Sequence, residues 1–146
     1  MIRYTLLLIL ILTLPTKVSA NDSLRFQAPV SYKEKQVVTL ALSEQENLPP
    51  PLWLAKIDLN NDAIDEYVVR AKNTDNCTSN KLCSHVIIVF QDHKPIKIGH
   101  FDAHKILISN KKSYGIRQII VYNDAYNDFK NVTARWNPFS FTFEVR

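Results

Sequence analysis

Along this chain of 146 residues the spacing of apolar positions changes twice. Residues 4–14 (YTLLLILILTL) form one unbroken apolar run. From Val37, apolar residues recur at three- and four-residue spacing (Val37, Val38, Ala41, Leu42), the stripe of a helix of about three turns. Ser31 and Glu34 stand before it as a capping box. Ser31 can accept from the Glu34 amide, and the Glu34 carboxylate can reach back to the amide of Ser31. Pro49, Pro50 and Pro51 end the helix, since three prolines in a row have no amide to donate. The polar stretch from Asn21 to Pro29 reads as a loosely held arm.

Past Pro51 the period shortens towards two. Trp53–Ile57 and Tyr67–Ala71 flank an acidic loop, and His85–Phe90 (HVIIVF) is nearly continuous, as in a strand covered on both faces. Asp92 to Pro95 reads as a turn, after which Ile96, Ile98 and His100 alternate with Lys97 and Gly99. Ile106–Ile108 is short and apolar, and residues 110–115 carry turn chemistry. Ile116–Tyr122 is β-rich, and Val132–Trp136 and Phe139–Val145 form a last hairpin about Asn137-Pro138. One helix followed by about seven short strands predicts an α+β fold, the helix packed on an antiparallel meander.

The first apolar run is too short to cross a bilayer, which needs about 20 residues. Arg3 precedes it, and Val18-Ser19-Ala20 supplies the small residues of a cleavage site. Residues 1–20 are therefore expected to be a signal peptide, and 21–146 a single exported domain, periplasmic or secreted. Arg3 and Lys17 leave with the signal and no acid does, so the formal charge falls from +4 to +2. With no basic cluster beyond Lys111-Lys112, nucleic acid is not an expected partner, and no membrane span is expected after cleavage. Cys77 and Cys83 are spaced for a short disulfide, whereas a redox pair has two intervening residues at a helix start.

The acidic loop, DLNNDAIDE, offers oxygens at alternate positions: Asp58, Asn60, Asp62, the backbone carbonyl of Ile64, and Glu66. Calcium takes six to eight oxygens, and alternate side chains of a tight loop converge on one point. Ala63 stands where such loops carry glycine in a left-handed turn, at a cost of about 1 kcal/mol. Val69 occupies the twelfth position, so no carboxylate closes the loop as in an EF-hand. Two readings stand side by side: a calcium cradle, and a metal-free loop held by Asx turns from Asp58, Asn60 and Asp62.

DLNNDAIDEYVV resembles the D-L-N-G-D-G-x-x-E-x-x-V segment of a group of small exported bacterial proteins of uncharacterised function. More distantly, it resembles the calcium loops of FG-GAP repeats. In the exported group a cysteine pair follows, then an apolar strand, then a G-[IWY]-R-D-[IL]-x-V strand and an aromatic hairpin. Here these are Cys77 and Cys83, HVIIVF, residues 115–121 (GIRQIIV) and residues 136–145. Asn61 and Ala63 replace the two loop glycines, and Gln118 replaces the aspartate. The resemblance implies an exported compartment and a fold but no reaction.

Other chemistry is sparse. His100, Asp102 and His104 alternate in HFDAH, a set suited to zinc or copper if extended, and otherwise plain polar residues at a strand end. Gly99 and Gly115 are the only glycines, which excludes phosphate-cradling loops and nucleophile elbows. Phe139, Phe141 and Phe143 alternate and are expected in the core, while Tyr126 and Phe129 lie in a polar loop that could present a contact patch. The expected function is a non-enzymatic binding module for a protein partner, an inhibitor or immunity-type partner of an envelope protein, with calcium as its candidate stabiliser. The alternative is a metal-dependent hydrolase using the acidic loop or HFDAH.

Overall fold

The computed structural model describes residues 21–44, 48–73, 77, 82–124 and 131–145. The expected signal peptide, Tyr126 and Phe129 lie outside the described residues. Helix α1 (Tyr32–Glu44) begins on the expected capping box. Glu34 N–H donates to Ser31 Oγ at 3.1 Å, and Glu34 Oε2 accepts from the amides of Ser31 (2.9 Å) and Val30 (2.7 Å). Its buried side is Glu34, Val37 and Ala41, whereas Leu42, expected on that stripe, is turned outward.

Strands β2 (Leu52–Ile57), β3 (Glu66–Ala71), β4 (Cys83–Gln91) and β5 (Lys94–Ala103) form one antiparallel sheet in chain order. The second sheet is antiparallel in the order β1 (Asp22–Ser23), β6 (Lys105–Ser113), β7 (Ile116–Tyr122), β8 (Asn131–Asn137) and β9 (Thr142–Val145). The fold is α+β with one N-terminal helix, as expected, but the described strands number nine in two sheets. Only His104 separates β5 from β6, and at this corner the meander passes from one sheet to the other.

Two apolar layers follow. One lies between the sheets and contains Val68, Ile87, Phe101, Ile108, Ile119 and Phe143. The other lies between the first sheet and α1, with Val37, Ala41, Leu54, Tyr67, Val69, Val86 and Ile88. Alternate residues of β3 and β4 therefore enter opposite cores, which is why HVIIVF reads as one unbroken apolar run. Glu34 ties the helix to the sheet: its Oε1 lies 2.7 Å from Lys56 Nζ on β2.

Three local expectations need correction. The N-terminal arm is held, because β1 pairs with β6 and Gln27 exchanges two backbone bonds of 2.9 Å with Leu54. Strand β6 continues past Ile108 to Ser113 through a bulge, and the turn is Tyr114-Gly115, with φ of 51° and 80°. That two-residue turn needs positive φ twice, which Gly115 supplies without strain. Phe139 and Phe141 are not core residues: they lie in the turn between β8 and β9, 90% and 70% exposed, and only Phe143 is buried. The disulfide Cys77–Cys83 is formed, with Cα atoms 5.0 Å apart, at the start of β4. Among the described residues, no helix is long and apolar enough to cross a membrane.

Candidate functional site

The acidic loop is the tip of the β2–β3 hairpin, whose register runs from Leu52 opposite Ala71 to Ile57 opposite Glu66. Its polar side chains close on its own backbone. Asp58 Oδ1 accepts from the amides of Asn61 (2.6 Å) and Asp62 (3.2 Å), and Asp58 Oδ2 from that of Ala63 (3.0 Å). Asn60 Oδ1 accepts from Asp62 N–H at 3.0 Å, and Asp62 Oδ1 from Ile64 N–H at 2.8 Å. Asn60 Nδ2 donates to Asp62 Oδ2 at 2.8 Å. These bonds are the Asx turns of the metal-free reading, and they hold Asn61 and Ala63 at φ of 67° and 64°.

Glu66 differs from the other acids. It is 7% exposed, and its Oε2 accepts from Leu59 N–H at 2.6 Å. Burial above all, with the charges of Asp62 and Asp58 adding to it, pushes its carboxyl up to about 7, against the Leu59 amide, which favours the ionised form. Asp58 is held below the usual carboxylate range: desolvation, the largest single influence, opposes this, but four backbone hydrogen bonds together outweigh it. Leu59 is itself buried in the inter-sheet core, and its carbonyl accepts from Arg117 N–H of β7 at 2.8 Å. The loop is thereby pinned to both sheets.

Beside the loop, between the ends of the two sheets, lies a groove of about 430 Å³. Its apolar floor includes Ile96, Ile98, Ile116, Trp136 and Phe141, and its polar rim includes Asp62, Asp65 and Glu66. None of its described lining residues is basic. The β8–β9 turn forms one wall and is internally braced. Asn137 Oδ1 accepts from Phe139 N–H at 2.9 Å, and Glu144 Oε1 accepts from Asn137 Nδ2 (2.6 Å) and Ser140 Oγ (2.9 Å). Trp136 meets Phe141 and Phe143 edge-on, with centroids 6.4 and 5.5 Å apart. The turn thus presents both phenylalanines outward: Phe141 lines this groove, and Phe139 lines a separate cleft with Tyr114 and Arg135.

HFDAH is only partly brought together. His100 and Asp102 share a face of β5, His100 Nε2 lies 3.3 Å from Asp102 Oδ1, and Ser84 Oγ donates to Asp102 Oδ1 at 2.6 Å. His104 occupies the corner between sheets, where its amide donates to Tyr122 O at 2.8 Å. Among the described residues, no three or more His, Cys, Asp or Glu side chains are grouped to hold a metal ion.

Sequence reasoning missed the exposed turn aromatics, because alternation in 139–143 has the same period as a strand. Asn137-Pro138 followed by Ser140 was the available signal for a longer turn. It also left Arg117 unassigned. The side chain of Arg117 clamps β1 to the β6 bulge through Asp22 Oδ2 (2.7 Å) and Ser109 O (3.0 Å). No protein-family model, curated protein or solved structure matches the chain.

Proposed function

We propose that the protein is a non-enzymatic binding module of the periplasm or extracellular space, and that the groove between the acidic loop and the β8–β9 turn receives a protein partner. The observation that carries this reading is the exposed Phe141, set beside Trp136 in an apolar groove whose described charged lining residues are all acidic, with the exposed Phe139 on the same turn. Exposed aromatics cost solvation unless a partner covers them, and rigid ones bind with little loss of side-chain entropy. The rim selects a partner segment that carries Lys or Arg among apolar residues, because charge complementarity suppresses partners of the wrong sign. An inhibitor or immunity-type partnership with an envelope protein fits such a surface. The disulfide supports an oxidising compartment.

The test compares the mature protein with a double variant, Phe139→Ser with Phe141→Ser, as baits in envelope extract. A stoichiometric partner retained by the first and lost by the second is the expected result. A partner held equally by both places the interface elsewhere, and a variant of unchanged melting temperature excludes misfolding as the cause.

Calcium is proposed as a stabiliser of the loop. The donor set is all oxygen, as a hard cation requires, with Asp62 exposed and Asp58 half-buried. Ala63 already adopts the left-handed conformation that such a loop needs, so binding would require no further turn at that residue. Stabilisation should reach about 2.7 kcal/mol at a hundredfold excess over Kd. Calorimetry in calcium and then in chelator measures it, and coincident melting curves would remove calcium from the account.

A further inference from the structure

The groove occupies one end of β3, β4 and β5, and a second cleft of about 350 Å³ opens between the sheets at the other end. Glu66 lines the first and Arg70 the second, four residues along β3 and so roughly 13 Å apart. We propose that this second cleft is a binding site for a small apolar carboxylate, with the Arg70 guanidinium as its anchor.

Arg70 faces the inter-sheet side of β3, and its Nε is fully buried without a hydrogen-bond partner among the described residues. Such a donor ordinarily costs stability unless something pairs with it. Burial also pushes the guanidinium below the ordinary arginine value. None of the described residues that line the cleft is Asp or Glu. What Arg70 does have is an aromatic face, since its guanidinium carbon lies 4.2 Å from the centroid of Phe26. That contact seats the guanidinium against the ring, and a guanidinium suits two parallel N–H···O bonds to a planar carboxylate. Phe26 is in turn held by the neighbouring Gln27–Leu54 bridge, so the N-terminal segment builds one wall of the site.

The remaining walls set the ligand class. Leu24, Phe26 and Ile106 supply apolar surface for the body of a small acid. His85, 2% exposed, has Nδ1 2.9 Å from Cys83 O, which makes Nδ1 the donor and Nε2 the acceptor. Burial first, and then the charges of Arg70 and His100, push His85 down to about 4, while Cys83 O and Asp102 act the other way. Its imidazole is therefore neutral, and the charged groups lining the cleft are Arg70, the anchor, and Lys105, whose Nζ lies 4.5 Å from the Tyr122 ring centroid. His104, from the corner between the sheets, also lines the cleft. The site uses neither the groove nor its rim, so it stands or falls independently of the proposed partner surface.

Phenylacetate, its neutral amide phenylacetamide, and inorganic phosphate serve as probes, titrated into the disulfide-intact mature protein by calorimetry. The Arg70 Nε–Hε resonance is followed in parallel by NMR. Saturable phenylacetate binding that moves this resonance is the expected result, with the amide bound at least about tenfold more weakly because it lacks the charge. Arg70→Met, which keeps the apolar stem, should lose that preference for the acid over the amide. Equal binding of acid and amide, phosphate binding alone, or no saturable binding of phenylacetate would each overturn the proposal. The comparison of probes on the unaltered protein separates these outcomes even if Arg70→Met does not fold.

Discussion

Glu34 shows how much one side chain can do when local and tertiary demands coincide. Its carboxylate completes the capping box with one oxygen and meets Lys56 of β2 with the other, and the residue is 1% exposed. The Lys56 hydrogen bond foremost, followed by the Ser31 and Val30 amides, pulls its carboxyl down to about 2 from an ordinary 4.5. Because the folded value is the lower one, the stabilisation is complete above 4.5 and fades as pH falls towards 2. Glu34→Gln should melt lower at neutral pH, and the difference from the unaltered protein should shrink as pH falls across that interval. Thermal melts at several pH values measure it, and a pH-independent gap between the two proteins would contradict this role. The capping half was legible from Ser31 and Glu34 in sequence. The Lys56 half was not, because helix and strand meet only through tertiary packing.

At the scale of elements, a two-residue period alone did not distinguish strand from turn. Residues 139–143 alternate Phe with Ser and Thr, yet Phe141 lies at φ 53° in a turn tied by Asn137 and Glu144, and β9 begins only at Thr142. The reverse occurred at 110–113, where turn chemistry was read but the bulge beside Ile108 lets β6 continue to Ser113. The cysteine pair was read correctly from spacing and number, since an even pair six residues apart closes a short loop. A loop of that length should contribute about 2 kcal/mol. Reduction should therefore lower the melting temperature by roughly 5–10 °C. Melting with and without reductant tests this, and an unchanged midpoint would assign the bond no part in stability.

At the scale of the whole molecule, the first sheet is the middle layer between α1 and the second sheet, and each of its ends opens into a cavity. The end that carries the acidic loop was visible in sequence, because its Asx-forming residues are contiguous and act on their own backbone. The end that carries Arg70 was not, since its walls come from residues 23, 24, 26, 70, 85 and 104–107. By itself the sequence determined what local chemistry can decide: the capped helix, the hairpin around the loop, most strand positions, the disulfide, and the α+β class. Only the tertiary structure decided that the meander divides at His104, that two phenylalanines stay in water, and that the Nε of Arg70 is buried without a hydrogen-bond partner among the described residues. The reason is physical: hydrogen bonds within a few residues follow from chain order, whereas desolvation depends on which distant surfaces come to cover a side chain.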